Sequence, residues 1–367
     1  MKTKLFKTKK YTAMRKYLYI LFALCMFLSS FGVWGQGFNA PRWNNGGNPI
    51  RGDFELIGNN SVSDANNPNV SYNVYKGAAR GYFKMAYIDV DDDRSTFQSS
   101  AATLAIQSPN QACLRVKWAG LYWGGYYLGG EGDERNVKFK VPGGNYVDIR
   151  AQQHYSGNPN MYSCYADVTN FIQPLGNPNG EYMVANILTT RRNITWQVSA
   201  GWHLYVVYED IHAKSRKVSI FDGYTGNGAD IQVSGFQTIP AGPVKVHMGV
   251  TALQGEDFIY GDQFLLNGHL LGRGSWPNDK NNFFDASITK NHVFTTNRRP
   301  ASTNTLGFDV DDFDLDNPGN SILANNATSA RVQLTTRGDV YVLTSVAFSV
   351  ETIVPQIEIE KKVLGLV

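Results

Sequence analysis

The sequence is poor in the residues that build metal–thiolate sites and disulfide-rich scaffolds. Only three of its 367 residues are cysteine, and its six histidines are scattered. No Cys-x-x-Cys or His-x-x-x-His spacing occurs, so a zinc site has no support. A Gly-x-Ser-x-Gly nucleophile elbow is also missing. No recognisable catalytic constellation is therefore present.

Charged residues are scarce as well, at 18% of the chain. The 34 basic and 31 acidic residues give a formal charge of +3, but seven basic and no acidic residues lie in the first 35 positions. The remainder carries a charge of −4 and is 332 residues long. Nucleic-acid binding is therefore unsupported, and a hydrophobic content of 43% excludes a disordered chain.

One apolar run stands near the N-terminus. Basic residues through Lys16 precede the apolar stretch 17–28, and small residues follow it, with Val33 and Gly35 at the −3 and −1 positions of a cleavage site. This pattern predicts a signal peptide over 1–35, since a bilayer-spanning helix needs about 20 apolar residues. We expect a secreted or cell-surface protein with no membrane insertion of the mature chain.

Cleavage would leave two cysteines, Cys113 and Cys164. In an oxidising compartment an even pair is more often bonded than free, so the sequence predicts a disulfide between them.

Period-two alternation of apolar and polar residues recurs along the mature chain, whereas helical periodicity is nearly absent. The alternating segments are 114–118, 137–141, 202–208, 217–221, 244–250, 330–334 and 340–350. Asn267-Gly268 between two apolar runs predicts a two-residue hairpin turn. One short helix is expected near 167–172, with Asp167 or Thr169 as its N-cap.

These elements predict an all-β fold, a jelly-roll-like antiparallel β-sandwich that is either single or two packed sandwiches. The main domain is expected over 36–353, with a sub-boundary near 214. Its first part, 36–80, is rich in Asn and Gly and is expected to form loops or an edge strand. Residues 354–367 resemble the first strand of a following immunoglobulin-like repeat.

Two acidic segments are candidate calcium loops, because crowded carboxylates repel one another unless a hard dication binds them. Neither segment has the glycine of an EF-hand at its sixth position. The alternative is a set of solvated carboxylates at strand edges. The candidate ligands are Asp89, Asp91, Asp93, Asp309, Asp311, Asp312 and Asp314.

A segment rich in aromatic residues and glycine follows Trp118. Aromatic faces stack on sugar rings and carboxylates bind hydroxyl groups, so a glycan site is one interpretation; an ordinary core strand running into a loop is the other. The candidate ligand-binding residues are Trp123, Tyr126, Tyr127, Glu131 and Asp133.

Five segments carry a family resemblance. They are Gly52-Asp-Phe-Glu-Leu-Ile-Gly-Asn59, Ala119-Gly-Leu-Tyr-Trp-Gly-Gly125, Tyr165-Ala-Asp-Val-Thr169, 200–210 with 220–224, and Thr303-Asn-Thr-Leu-Gly-Phe-Asp309. Together they resemble the N-terminal region of large, repeat-containing surface adhesins exported by the type 9 secretion system, the SprB-like gliding adhesins. The resemblance implies contacts with secretion machinery and outer-membrane partners, although the C-terminal sorting domain of such substrates is not in the sequence.

The leading hypothesis is a non-enzymatic, secreted cell-surface adhesin module for attachment or gliding, which binds a glycan or surface polysaccharide. The alternative is a secreted carbohydrate-active enzyme, a hydrolase or lyase, with catalytic carboxylates among Glu131, Asp133 and Glu209. A structural cap with no external ligand is a third reading.

Overall fold

The fold is built almost entirely from antiparallel β-strands. The computed structural model describes residues 37–64, 83–130, 132–157, 160–190, 193–194, 199–226 and 228–353. The predicted signal peptide and the predicted start of a following repeat lie outside these residues. No helix in the described ranges is long and apolar enough to cross a membrane.

Twenty-four strands are present in the described chain. They are β1 (Pro41–Trp43), β2 (Ile50–Asn60), β3 (Val62–Asp64), β4 (Phe83–Tyr87), β5 (Ser99–Leu104), β6 (Arg115–Tyr126), β7 (Asn136–Lys140), β8 (Val147–Arg150), β9 (Gln153–Gly157), β10 (Met161–Asp167), β11 (Gly180–Ala185), β12 (Asn193–Ile194), β13 (Ala200–Glu209), β14 (Ser215–Thr225), β15 (Ala229–Ser234), β16 (Val246–Leu253), β17 (Gln263–Leu266), β18 (His269–Leu270), β19 (Ile288–Lys290), β20 (Val293–Phe294), β21 (Arg298–Arg299), β22 (Phe308–Asp314), β23 (Ser329–Thr335) and β24 (Val342–Glu351).

The helical elements are short. They are α1 (Thr169–Ile172) and four 3₁₀ turns, Asn45–Gly47, Gln111–Cys113, Gln173–Leu175 and Pro318–Asn320.

One long sheet organises the molecule. Its twelve strands include the path β20-β19-β22-β16-β24-β14-β2-β13-β6-β10-β9, with β1 added beside β14. All of its pairs are antiparallel except β19 with β22. The other sheets have five strands (β21-β5-β11-β7-β8), four (β15-β23-β17-β18) and three (β12-β4-β3).

Two hydrophobic cores lie on this long sheet. The first core lies between the strands β2, β13, β6 and β10 and the five-stranded sheet, and we call this unit the first sandwich. The second sandwich packs β16, β24 and β22 against the four-stranded sheet. Strand β2 lies where the two meet, because it pairs with β13 on one side and with β14 on the other. The all-β sandwich prediction is therefore confirmed.

The alternating segments of the sequence form the predicted strands. Asn267 and Gly268 form the hairpin turn between β17 and β18, and both have positive φ, at 50° and 81°. The predicted helix is the single turn α1, whose N-cap is Val168 rather than a polar residue. Asp167 still contributes, because its carboxylate accepts the Thr169 N–H at 2.9 Å.

The expectation for 36–80 is corrected by β2. This eleven-residue strand lies inside the long sheet, not at its edge. Its glycines have a steric reason: a Cβ on Gly58 would lie 2.4 Å from the Trp202 carbonyl oxygen. Asn59 is buried and donates to the Ala101 and Arg299 carbonyl oxygens, each at 2.9 Å. The polar, glycine-rich character of this strand reflects close backbone approach and specific hydrogen bonds.

Phe54 on β2 supports both sandwiches and provides a stability test. Its ring is fully buried, meets the edge of Tyr205 and stacks on His247 at 4.2 Å between centroids. We expect Phe54→Ala to lower the free energy of unfolding by about 3–5 kcal/mol, because a cavity opens where the two cores join.

Equilibrium denaturation measures this loss. The matched control is Ile211→Ala, since Ile211 is 63% exposed and should change stability by no more than about 0.5 kcal/mol. Equal effects of the two substitutions would contradict the role given to Phe54.

Candidate functional site

A cleft opens beside β2 where the two sandwiches meet. Its volume is about 280 Å³. One wall is β2 itself, from Glu55 to Gly58, and the opposite walls come from β5 with the residues that follow it and from the segment 288–298. The sheet topology thus brings together side chains that are more than 230 positions apart in sequence, such as Glu55 and Lys290.

Apolar and acidic side chains alternate along β2 from Asp53 to Leu56. Phe54 and Leu56 are buried in the first core, whereas Asp53 and Glu55 form ion pairs with other strands. Asp53 meets Arg216 of β14 at 3.3 Å and His247 of β16 at 3.3 Å. Glu55 pairs with Lys290 of β19.

Asp312 of β22 completes this network from the other side. Its carboxylate contacts the His247 Nε2 atom and lies 3.4 Å from the Lys290 ammonium nitrogen. The Asp312 side chain is only 2% exposed. We call the set Asp53, Glu55, His247, Lys290 and Asp312 the junction network.

The network sets the protonation of its histidine. Burial opposes a charge on His247, but Asp312 and Asp53 outweigh it and hold the pKa of His247 well above its ordinary value. His247 is therefore a cation between two carboxylates. A buried charge of this kind is tolerated only when it is paired in this way.

Glu55 faces the cleft and is electrostatically unusual. Burial, followed by the Asp312 charge, raises the pKa of Glu55 to about 7, although Lys290 acts in the opposite direction. The same two acids, Asp312 and Glu55, raise the pKa of Lys290 against its burial. Glu55 is thus a carboxyl group at the cleft wall whose pKa lies close to neutral pH.

The rest of the lining is neutral and rich in hydroxyl and amide groups. Thr103, Gln107, Thr295 and Asn297 all line the cleft. Arg298 also lines the cleft but is buried, and it donates to Thr295 Oγ1 and Asn59 Oδ1, each at 2.9 Å. Burial lowers the pKa of Arg298 to about 9, and it also donates to the Pro300 carbonyl oxygen.

An aromatic pair stands beside the cleft. Phe294 directly precedes the cleft residue Thr295 and packs on Trp276 with ring centroids 4.5 Å apart. Trp276 is 38% exposed, and Val293 is also exposed on the same hairpin. Large exposed apolar groups beside polar ones are typical of a binding surface.

The aromatic segment predicted for glycan binding is built differently. Trp123 and Tyr126 are buried in the first core, and the Trp123 indole donates to the Glu134 carbonyl oxygen at 2.9 Å. Neither ring is accessible for stacking on a ligand, because both are buried in this core. Tyr127 packs edge-on against Tyr162, and Glu131 lies outside the described residues.

The proposed catalytic carboxylates are not brought together. Asp133 is paired with Arg150 at 3.0 Å, and Glu209 with Lys117 at 3.3 Å. Both pairs are partly exposed surface contacts, which contribute little to stability.

The first candidate calcium loop satisfies its own carboxylates. The Ser99 hydroxyl lies 2.8 Å from Asp89 Oδ1 and 2.9 Å from Asp91 Oδ1. Tyr146 donates to Asp91 Oδ2 at 2.6 Å, and the Ser95 N–H donates to Asp93 at 2.8 Å. The carboxylates of this loop therefore have hydrogen-bond partners within the protein.

The second acidic segment is the strand β22, and its carboxylates separate by face. Asp309 and Asp311 are fully buried on one side, Asp312 joins the junction network on the other, and Asp314 is exposed. These residues are not the solvated edge carboxylates of the alternative interpretation, apart from Asp314. Among the described residues, no three His, Cys, Asp or Glu side chains form a ready-made metal-ligating group.

The predicted disulfide is absent, since Cys113 and Cys164 are both free thiols. Cys164 pairs with Trp123 of β6, ten positions along the chain from Cys113. At ~3.3 Å per residue this separates the cysteines by on the order of 30 Å, whereas a disulfide needs Cα atoms within about 7 Å.

Comparisons with known proteins give little beyond this geometry. No protein-family model and no curated protein matches the chain. Among solved structures it is similar to N-glycanase F (PNGase F), at 11% identity, with 80% of this chain and 95% of that chain covered and a TM-score of 0.20.

Two further solved structures are similarly distant. The ANX2 ectodomain from Arabidopsis thaliana has 7% identity, covering 82% and 97% of the two chains, with a TM-score of 0.23. Quercetin 2,3-dioxygenase from Acinetobacter baumannii has 8% identity, covering 82% and 79%, with a TM-score of 0.21. Likenesses at this level carry no argument about function.

Sequence reasoning missed Glu55, His247 and Lys290. Only His247 lies in one of the alternating segments, and only the sheet order makes the three residues neighbours. A weak signal existed in β2, where two acids alternate with apolar residues next to Gly52 and Gly58. That pattern favours a strand with one charged face against another part of the protein.

The junction network makes stability depend on pH. The pKa of His247 is raised in the folded state above the value of about 6.5 of an unfolded histidine. Its ion pairs therefore contribute fully below pH ~6.5, and the contribution falls as the pH rises through the folded pKa. We expect His247→Gln to cost about 3–5 kcal/mol at pH 6 and less at pH 9.

Urea denaturation at the two pH values measures the difference. His269→Gln, which removes an exposed histidine of β18, is the control and should show no such trend. A cost for His247→Gln that stays constant or grows toward pH 9 would contradict the paired, charged state of His247.

Proposed function

We propose that this chain is an exported, non-enzymatic attachment module that binds a neutral glycan or polysaccharide in the cleft beside β2. The observation that carries the proposal is the lining of the cleft, in which Glu55 and Lys290 are paired with each other, Arg298 is buried against neutral oxygens, and hydroxyl and amide groups surround them. Such a surface offers hydrogen bonds without a net charge, which suits a polyhydroxylated ligand.

The charge arrangement supports a neutral ligand over an ionic one. Lys290 is shared by Glu55 and Asp312. Arg298 also lines the cleft, but it is only 5% exposed and donates to neutral oxygens of the protein. An anionic polymer would have to separate Lys290 from its two carboxylates. Breaking such pairs is costly in a partly buried site.

The aromatic pair supplies the apolar surface that sugar rings require. Phe294 ends the β19–β20 hairpin, and Thr295 and Asn297, which line the cleft, follow it in the chain. Trp276 comes from an earlier loop and packs on Phe294. This arrangement replaces the aromatic segment around Trp123 as the candidate binding surface.

One observation favours the alternative, a secreted carbohydrate-active enzyme. Glu55 has a pKa raised to about 7 and faces the cleft, which is the state required of a general acid. A glycosidase needs a second carboxylate within reach of the same bond. Asp312 is the nearest acid, but His247 and Lys290 cover it and its side chain is 2% exposed. The non-enzymatic reading is therefore preferred.

The remaining parts of the proposal come from the sequence. The signal segment supports export, and the resemblance to SprB-like gliding adhesins supports a position at the cell surface with secretion machinery and outer-membrane partners. On this proposal the module serves attachment or gliding.

Binding is tested with a panel of soluble neutral polysaccharides by affinity electrophoresis and calorimetry. We expect Trp276→Ala and Gln107→Ala each to weaken binding by roughly tenfold, because one removes stacking surface and the other an amide of the lining. Gln232→Ala, an exposed glutamine on β15, is the control and should bind normally. Binding that none of the cleft substitutions changes would contradict the site.

Glu55→Gln separates the two functions. We expect the wild-type chain to release no reducing ends from any bound polysaccharide and the variant to retain its affinity, because Lys290 still has Asp312 as a partner. Cleavage by the wild-type chain that Glu55→Gln abolishes would establish the enzyme instead.

A further inference from the structure

A second group of acidic side chains lies inside the second sandwich. Its six members come from β22, from the segment 254–285 and from the turn before β24, and all are at most 6% exposed. We call them the acid cluster: Glu256, Asp262, Asp285, Asp309, Asp311 and Asp339.

Three members form the inner part of the cluster around Asp285. Asn278 links two of them, since its N–H donates to Asp285 at 2.6 Å and its side-chain amide donates to Asp311 at 2.9 Å. Ser287 links the third, because its hydroxyl donates to Asp285 at 2.6 Å and its N–H to Asp309 at 3.0 Å. One oxygen of Asp309 and one of Asp311 remain without a partner.

The other three members adjoin this part at the Gly255–Glu256 segment. Asp339 accepts the Glu256 N–H at 3.0 Å. Asp309 Oδ2 lies only 2.3 Å from where a Cβ on Gly255 would stand, beside the Phe284 carbonyl oxygen at 2.7 Å. Glu256 Oε2 and both carboxyl oxygens of Asp262 have no hydrogen-bond partner. The Gly255–Glu256 segment therefore lies against both parts, next to Asp309 on one side and Asp339 on the other.

No positive group offsets this concentration of acid. Among the described residues, none of the six carboxyl groups forms an ion pair with Lys, Arg or His. Burial followed by the Asp339 charge raises the pKa of both Asp262 and Glu256 to about 8. The surrounding protein thus does little to stabilise the ionised form of these carboxyl groups.

Two neutral side chains direct unpartnered oxygens into the same region. Asn282 is 2% exposed and donates its amide N–H to the Glu256 carbonyl oxygen at 3.0 Å, while its Oδ1 atom has no partner. Tyr341 is fully buried, its hydroxyl has no partner, and it lies close enough to Asp262 and Asp339 to feel their charges. Buried oxygen atoms without donors are rare in folded proteins and require an explanation.

We propose that the acid cluster binds one Ca²⁺ ion, with Asp262, Glu256, Asp309 and the Asn282 carbonyl oxygen among its ligands. Ca²⁺ takes six to eight oxygen ligands from carboxylates, amides and backbone carbonyls in flexible geometry. The same ion would neutralise the charge that the surrounding protein leaves uncompensated. Among the described residues no three carboxyl groups form a ready-made metal-ligating group, so binding requires these groups to turn toward the ion. The Thr336 hydroxyl is the hydrogen-bonding group beside Asp262.

The experiment uses the purified chain, stripped with chelator and then titrated with CaCl₂ or MgCl₂ by calorimetry, with thermal melting measured in parallel. We expect one Ca²⁺ per chain, weaker binding of Mg²⁺ and a Ca²⁺-dependent rise in Tm of several degrees. Asp262→Asn and Asp309→Asn should each weaken Ca²⁺ binding by roughly tenfold or more.

Matched variants distinguish the site from general electrostatics. Asp314→Asn removes an exposed acid from β22, and Asp93→Asn removes one from the first acidic loop; both should bind Ca²⁺ like the wild type. Asp262→Asn should fold without the ion, since the amide oxygen can still accept from the Thr336 hydroxyl beside it. Absence of Ca²⁺ binding by the wild-type chain would overturn the proposal. So would binding that survives Asp262→Asn and Asp309→Asn, or that is lost in Asp314→Asn or Asp93→Asn.

Discussion

Strand β2 belongs to both sandwiches, and this shared position constrains the rest of the molecule. One face of the strand must be apolar to complete the first core, so Phe54 and Leu56 are buried there. Its acids, Asp53 and Glu55, are held against the second sandwich and cannot be left unpaired. His247, Arg216 and Lys290 come from three other strands to meet them. The cleft lies beside these ion pairs, at the boundary between the two cores.

The two acidic regions of the molecule differ in how their buried carboxyl groups are compensated. At the junction network each carboxylate has a cation within about hydrogen-bond distance, so the charges are compensated by the chain. In the acid cluster the partners are hydroxyl, amide and backbone N–H donors, and several oxygens have none. Compensation within the chain leaves the cleft free for a neutral ligand, whereas the acid cluster fits an added cation. The two proposals are independent, since they rest on different residues.

The sequence predicted those strands well that have one face exposed to solvent and the other face apolar. Strands β7 and β23 follow their alternation, and the Asn267-Gly268 turn follows from the need for positive φ. The central position of β2 was not predicted, because Gly58 and Asn59 are unusual in a central strand. The close approach of Trp202 and the hydrogen bonds of the buried Asn59 amide explain these two residues. Strand β22 was recognised as acidic but misread, since both of its faces are buried and the usual polar-out rule does not apply.

Sites were harder to predict than strands for the same reason. The spacing of Cys113 and Cys164 carries no information about distance, which depends on the register of β10 with β6. Trp123 looks like a binding residue in sequence, but the same aromatic character makes it a core residue. Glu55 and Lys290 could be joined only after the sheet order was known.

Hydrogen–deuterium exchange with and without a bound neutral oligosaccharide tests the central claim most directly, that the ligand occupies the cleft beside β2. We expect slower exchange in the segments 55–58, 103–107 and 288–298, which form its walls. Protection confined to the aromatic segment 118–130, or no protection anywhere despite binding, would contradict it.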